Sequence, residues 1–138
     1  MRIRLLSDLH LEQADCSPLP GEQDVVVLAG DIDNGSKGIE WAATHFRCPI
    51  VYVPGNHEYD YDDLGTSRVQ FADQQSPVQV LDNGAAIIDG VRFLGTTLRT
   101  DFALYGNVAK AIDAAWRTIS DHVRTRLGWR AADAIANA

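Results

Sequence analysis

Val25-Val26-Val27-Leu28-Ala29-Gly30-Asp31 and Ile50-Val51-Tyr52-Val53-Pro54-Gly55-Asn56-His57 are the two stretches whose reading decides the fold. Each is a short apolar run, rich in β-branched residues, that stops at a glycine and then turns polar. A continuous apolar run without alternation marks a strand buried on both faces of a parallel sheet. Between the two, Ile39, Ala42, Ala43 and Phe46 fall at i, i+3, i+4 and i+7, the spacing of an amphipathic helix. Asn34 or Ser36 is available as its N-cap, and Pro49 stops it. Strand, helix, strand in that order predicts a right-handed βαβ unit. The fold class is α/β.

Working outward, residues 2–7 predict a first strand ending in Asp8-Leu9-His10. Residues 12–24, with Pro18, Pro20 and Gly21, predict a loop. A short helix is expected over 63–75 and a strand over 78–81. Ile87-Ile88 and residues 91–94 flank Asp89-Gly90, a hairpin signal because both turn residues must accept positive φ. Val108, Ala111, Ile112, Ala115, Trp116, Ile119 and Val123 keep helical spacing behind Asn107 as N-cap. Trp41 and Trp116 read as packing residues on their helices, and residues 124–138 show no clear partner.

Composition bounds what such a chain can do. With 138 residues, 46% apolar and 22% charged, a single packed domain is expected and global disorder is excluded. Twelve basic residues against nineteen acidic ones leave a net charge of −7, which speaks against non-specific binding to nucleic acid or an anionic membrane. Residues 1–100 carry seven basic and fifteen acidic groups, so an acidic face that handles phosphate would need cations. No apolar run is long enough to span a bilayer, and the N-terminus lacks the pattern of a signal peptide. Two cysteines, Cys16 and Cys48, make no disulfide framework, so a cytoplasmic address is expected.

Three polar clusters follow three predicted strands: Asp8-Leu9-His10, Gly30-Asp31 and Gly55-Asn56-His57-Glu58. In an open α/β sheet ligands bind at that edge, where loops converge over strand ends. Asp8, His10, Asp31, Asn56 and His57 would then share one crevice. Carboxylates, imidazoles and a carboxamide form a mixed oxygen–nitrogen donor set suited to manganese, iron, zinc or magnesium, and not to copper(I) or an iron–sulfur cluster. Gly30 and Gly55 are expected where a side chain would obstruct the approach to an ion or phosphate.

This ordered series, with Asp31 twenty-three positions after Asp8 and Asn56 twenty-five after Asp31, resembles the first half of the calcineurin-like metallophosphoesterase family. The likeness covers about residues 1–100, with softer support from residues 93–102. It implies an αββα sandwich, of which this chain would hold the N-terminal part as one domain over 1–138. It implies two divalent metal ions: Asp8 and His10 on the first, Asp31 bridging, Asn56 on the second. Asp31 and His57 would be the catalytic residues, Asn56 and His57 would border the substrate, and His57 would act at the leaving group. Two cations about 3.5–4 Å apart activate water and neutralise phosphate oxygens. Hydrolysis of a phosphate mono- or diester is the implied reaction, and a phosphoester the implied substrate.

The chain departs from the family pattern downstream. Three further metal-site histidines belong to that pattern, whereas the histidines here are His10, His45, His57 and His122. His122 matches neither downstream motif, so the second metal would keep Asp31 and Asn56 alone. The expectation is a truncated member with uncovered apolar edges that invite a homo-oligomer. The rival reading is a catalytically impaired fragment serving as a binding or interaction module.

Plainer readings apply locally. Asp31-Ile32-Asp33 also resembles the paired aspartates of haloacid-dehalogenase phosphatases, with Lys37 as the nearest lysine, but leaves Asp8, His10 and Asn56-His57 unexplained. Glu58, Asp60, Asp62 and Asp63 read as a solvated acidic loop. His45 and Cys48 are spaced like half a zinc site without a second pair, and read as a surface helix end and a free thiol. Cys16 reads as a loop thiol and His122 as a helix-surface residue.

Overall fold

The computed structural model describes residues 1–60, 77–98 and 100–118. Four parallel strands form the main sheet in spatial order β1 (Ile3–Leu6), β2 (Val25–Ala29), β3 (Ile50–Val53) and β4 (Val78–Val80). Register is continuous across the first three: Ile3 opposes Val25, and Val26 opposes Ile50. Helix α1 (Lys37–His45) links β2 to β3. A hairpin of β5 (Gly84–Ile88) and β6 (Val91–Gly95) makes a second, antiparallel sheet. A last helix, α2 (Val108–Thr118), closes the described chain.

The period of two along each strand sorts the core into two faces. Val26, Leu28, Ile50 and Tyr52 point to one side and pack with Ile32, Ile39, Ala42 and Phe46 from α1 and its approach. Val25 and Val51 point to the other and meet Leu81, Ala86 and Ile88, with Val27, Val53 and Phe93 alongside. Helix, sheet and second sheet are therefore stacked as the sandwich requires. Burial on both faces is why the β2 and β3 runs carry no polar alternation.

The hairpin forms as its turn chemistry demands, with Asp89 at φ +48° and Gly90 at φ +77°. Asn107 caps α2, its Oδ1 accepting from the Lys110 N–H at 3.0 Å. Ser36 stands at the N-cap of α1, but neither it nor Asn34 bonds through its side chain there, so that helix is set by its buried face. One expectation needs correction. Trp116 is 41% exposed, and it is its neighbour Ala115 that α2 buries. The edge strand β1 is uncovered on the second-sheet side, where Ile3 and Leu5 are 53% and 65% exposed because the hairpin lies over β2 and β3. The helix expected over 63–75, the end of the α2 pattern at Ile119 and Val123, and His122 lie outside the described residues. Cys16 and Cys48 are free thiols. Among the described residues no helix is long and apolar enough to cross a membrane.

Candidate metal centre

The β1–β2 pairing does not end where the strands do. Beyond Leu6 and Ala29, the Asp8 N–H donates to the Gly30 carbonyl at 3.0 Å, His10 to Asp31 at 3.1 Å and Leu11 to Ile32 at 2.9 Å. To hold that register while turning over the sheet edge, Asp8, His10 and Asp31 all adopt left-handed backbone, with φ of +53°, +49° and +54°. Each such non-glycine residue costs roughly 1–2 kcal/mol, and strain of this kind concentrates where geometry serves a site. Its result is convergence: one ligand atom from each of Asp8, His10 and Asp31 lies within 4.8 Å of the other two.

The third motif docks onto the second. Asp31 Oδ1 accepts from the His57 N–H at 3.0 Å. A Cβ on Gly55 would overlap that same oxygen and stand 2.7 Å from the Asp31 nitrogen, while Gly30, at φ +88°, passes Gly55 so closely that its own Cβ would sit 3.0 Å from the Gly55 Cα. Both glycines are therefore required by close approach of the chain to itself, where the sequence had suggested the approach of an ion or phosphate.

Glu58 locks this crossing from below. Its side chain is fully buried. Oε1 accepts from the Ile32 N–H at 2.8 Å and the Tyr52 hydroxyl at 2.7 Å, and Oε2 from the Gly55 N–H at 2.7 Å and the Asp31 N–H at 3.1 Å. One carboxylate thus satisfies the main chain at both strand exits. Burial first, and the neighbouring Glu58 charge second, push the Tyr52 phenol far above its ordinary range. The solvated reading of the acidic run is corrected here: Glu58 and Asp60 are 0% and 4% exposed, while Asp62 and Asp63 lie outside the described residues.

Glu12 is the residue that sequence reasoning passed over. Its main chain lies at the surface, but its side chain is only 16% exposed and turns inward. Oε1 lies 3.0 Å from His10 Nδ1 and 3.2 Å from His57 Nδ1, the latter without the alignment of a hydrogen bond. The two rings meet edge to face, centroids 4.5 Å apart. Burial pushes the Glu12 carboxyl up, but its own backbone N–H and hydrogen bonds from His10 and Gln13 outweigh this and hold it below the usual range. The signal was present, since Asp8, His10 and Glu12 alternate. For Glu58 no local signal exists, because two of its donors are 26 and 27 residues away.

Asn56 sits at the β3 exit, half-buried, its carbonyl accepting from the Tyr59 N–H as the chain enters a single 3₁₀ turn, His57–Tyr59. His45 ends α1 as an exposed residue against Trp41 and joins no ligand group among the described residues. Asp33 accepts from the Asn34 N–H at 2.6 Å and does not share the Asp8–His10–Asp31 group. Two carboxylates and an imidazole, converging on backbone held for that purpose, are a donor set that fits a divalent cation.

A strand-edge cluster of this composition on this fold defines a calcineurin-like phosphoesterase. The chain belongs to that family, whose model matches residues 1–129. It is 31% identical to the uncharacterized protein L509 of Acanthamoeba polyphaga mimivirus, over 71% of this chain and 44% of that protein. Its fold is similar to the crystal structure of phosphopantetheinyl hydrolase from Mycobacterium tuberculosis, with a TM-score of 0.69 at 17% identity, covering 99% of this chain and 60% of that one. The chain thus spans less than half of the viral relative. The family uses divalent metals in phosphoester hydrolysis, and the α/β fold with its parallel sheet is the family's fold.

Proposed function

We propose that this chain is a metal-dependent hydrolase of phosphate mono- or diesters, acting in the cytoplasm through a dinuclear centre. Asp8, His10 and Asp31 would hold the first cation, and Asp31 with Asn56 the second, manganese, iron, zinc and magnesium all suiting these donors. Bound there, the cations supply charge against the phosphate oxygens and acidify the attacking water. Asn56 and His57 border the phosphoester, and His57 stabilises or protonates the departing oxygen. The observation that carries this reading is the convergence of Asp8, His10 and Asp31 within 4.8 Å, each on left-handed backbone.

The test is Asp31→Asn. The parent, loaded with manganese and desalted, should retain two ions per chain by elemental analysis and hydrolyse nitrophenyl phosphates. The variant should lose both. An active Asp31→Asn variant sinks the dinuclear assignment.

One observation favours a second reading. By the family's pattern the second cation would keep Asp31 and Asn56 alone, while Ile3 and Leu5 leave an apolar sheet face exposed. An impaired domain that binds through that face, to another copy of itself or to another protein, would hold one ion or none and show no turnover.

A further inference from the structure

The proposed function leaves Glu12 without a task. Its carboxylate is largely covered, sits between the two imidazoles of the site, and presents a single oxygen to both Nδ1 atoms. His57 Nδ1 also has Asp60 Oδ2 at 3.8 Å on a buried side chain, so acidic oxygens bracket that nitrogen. An imidazole hydrogen-bonded through Nδ1–H to a carboxylate is fixed in tautomer and in ring orientation, and its free nitrogen is Nε2. The edge-to-face contact of the rings means that neither can swing without moving the other.

Resting on the phosphoesterase reading, we propose that Glu12 is a positioning residue: its hydrogen bond to His10 Nδ1 directs Nε2 of His10 at the cation, and the ring contact of His10 with His57 keeps the His57 ring in place beside it. It touches neither cation nor substrate itself. The metal ligand of the first motif is thereby set by Glu12, and the leaving-group residue of the third is kept beside it by the edge-to-face ring contact. Supporting carboxylates of this kind are worth about 10–100-fold in metal affinity.

The experiment compares Glu12→Gln, which keeps an acceptor oxygen, with Glu12→Met, which fills the same space without one. On the full chain without metal, ¹⁵N chemical shifts of the histidine rings report the tautomer. Manganese affinity is then measured by calorimetry. The parent and Glu12→Gln should show the Nδ1–H form at His10. Glu12→Met should show mixed tautomers at His10 and bind manganese about 10–100-fold more weakly. Should Glu12→Met fail to fold by circular dichroism, Glu12→Ala takes its place with the same expectation. Tautomers and affinity unchanged in the variant without an acceptor overturn the proposal. So does a bound ion that is lost in Glu12→Gln but kept in Asp31→Asn, which would make Glu12 a ligand. Neither readout needs turnover, so a chain that hydrolyses no phosphoester refutes the proposed function and leaves this inference standing, and unchanged tautomers do the reverse.

Discussion

Replacing Glu58 by Gln changes one atom and removes one charge, yet the structure assigns it a large effect. All four partners of the Glu58 carboxylate are donors: the Ile32, Asp31 and Gly55 N–H groups and the Tyr52 hydroxyl. A glutamine offers one acceptor oxygen and one NH₂. If that oxygen stays with Ile32 and Tyr52, the NH₂ faces the Asp31 and Gly55 N–H groups, and two buried donors lose their acceptor. In the flipped orientation the oxygen serves Asp31 and Gly55. The Tyr52 hydroxyl can then turn and accept, but the Ile32 N–H cannot. The cheaper outcome leaves one buried N–H unpaired, at about 1–3 kcal/mol, and weakens the remaining bonds by removing the charge. A destabilisation of about 3 kcal/mol follows. With a urea slope of about 1–3 kcal/mol/M, the midpoint should fall by roughly 1–3 M. Glu58→Ala, which leaves the buried Ile32 N–H and the part-buried Asp31 and Gly55 N–H groups without their acceptor, should approach the whole stability of about 5–15 kcal/mol and yield little folded protein. Urea titration followed by far-ultraviolet circular dichroism measures both. A Glu58→Gln midpoint within about 0.3 M of the parent would show that these four contacts do not hold the strand exits together.

The same network has a pH signature. Because the folded Tyr52 phenol is raised above its unfolded value near 10, its contribution is fully present below about pH 10 and declines above it, by about 1.4 kcal/mol at pH 11. Urea midpoints at pH 9 and 11 should therefore fall more in the parent than in Tyr52→Phe, and equal slopes would refute the buried-phenol account. Gly55→Ala sets a Cβ against the Asp31 main-chain nitrogen as well as its carboxylate, so the urea midpoint should fall and manganese affinity should drop by at least about tenfold, as calorimetry would show; a parent-like midpoint and full affinity would mean the close approach is not needed. His57→Ala should slow alkyl phosphoesters by about 10²–10⁴ and nitrophenyl esters much less, because a good leaving group needs no proton. Equal losses on both would remove His57 from the leaving-group side.

How much of this was legible in the sequence depends on how local each cause is. β2 and β3 were read to the residue because burial on both faces of a parallel strand writes itself as an uninterrupted apolar run. The Asp89-Gly90 turn was legible because positive φ restricts the residue types that fill it. Asp8, His10 and Asp31 could be placed at one edge by topology alone, but their left-handed backbone could not, since nothing in Asp or His demands it. Glu58 shows the limit most plainly. Set among Asp60, Asp62 and Asp63 it looks like one more solvated acid, and only the fold brings it the N–H groups of Asp31 and Ile32. Trp116 errs the other way, since helical spacing names a face but cannot say whether anything covers it.

The partners of the site are themselves instructive about what the rest of the chain contributes. Every hydrogen bond described above that shapes it runs among residues 8–59: the β1–β2 bonds at Asp8, His10 and Leu11, the four at Glu58, the His57 N–H on Asp31, the Tyr59 N–H on Asn56, and Glu12 on His10. The second sheet reaches this region from outside it, through the Thr97 hydroxyl donating to the Pro54 carbonyl at 2.7 Å and through the packing of Leu81, Ala86 and Ile88 on Val25 and Val51. Strain at three ligand positions and the groups that hold it are thus gathered in one unit, strands β1 to β3 with the turns that follow them. Placement of the first-cation donors should depend on that unit's own hydrogen bonds, and the second sheet should act on the stability of the platform more than on the geometry of Asp8, His10 and Asp31. A separate dependence of this kind explains how the first three motifs converge into one cluster on bonds made among themselves.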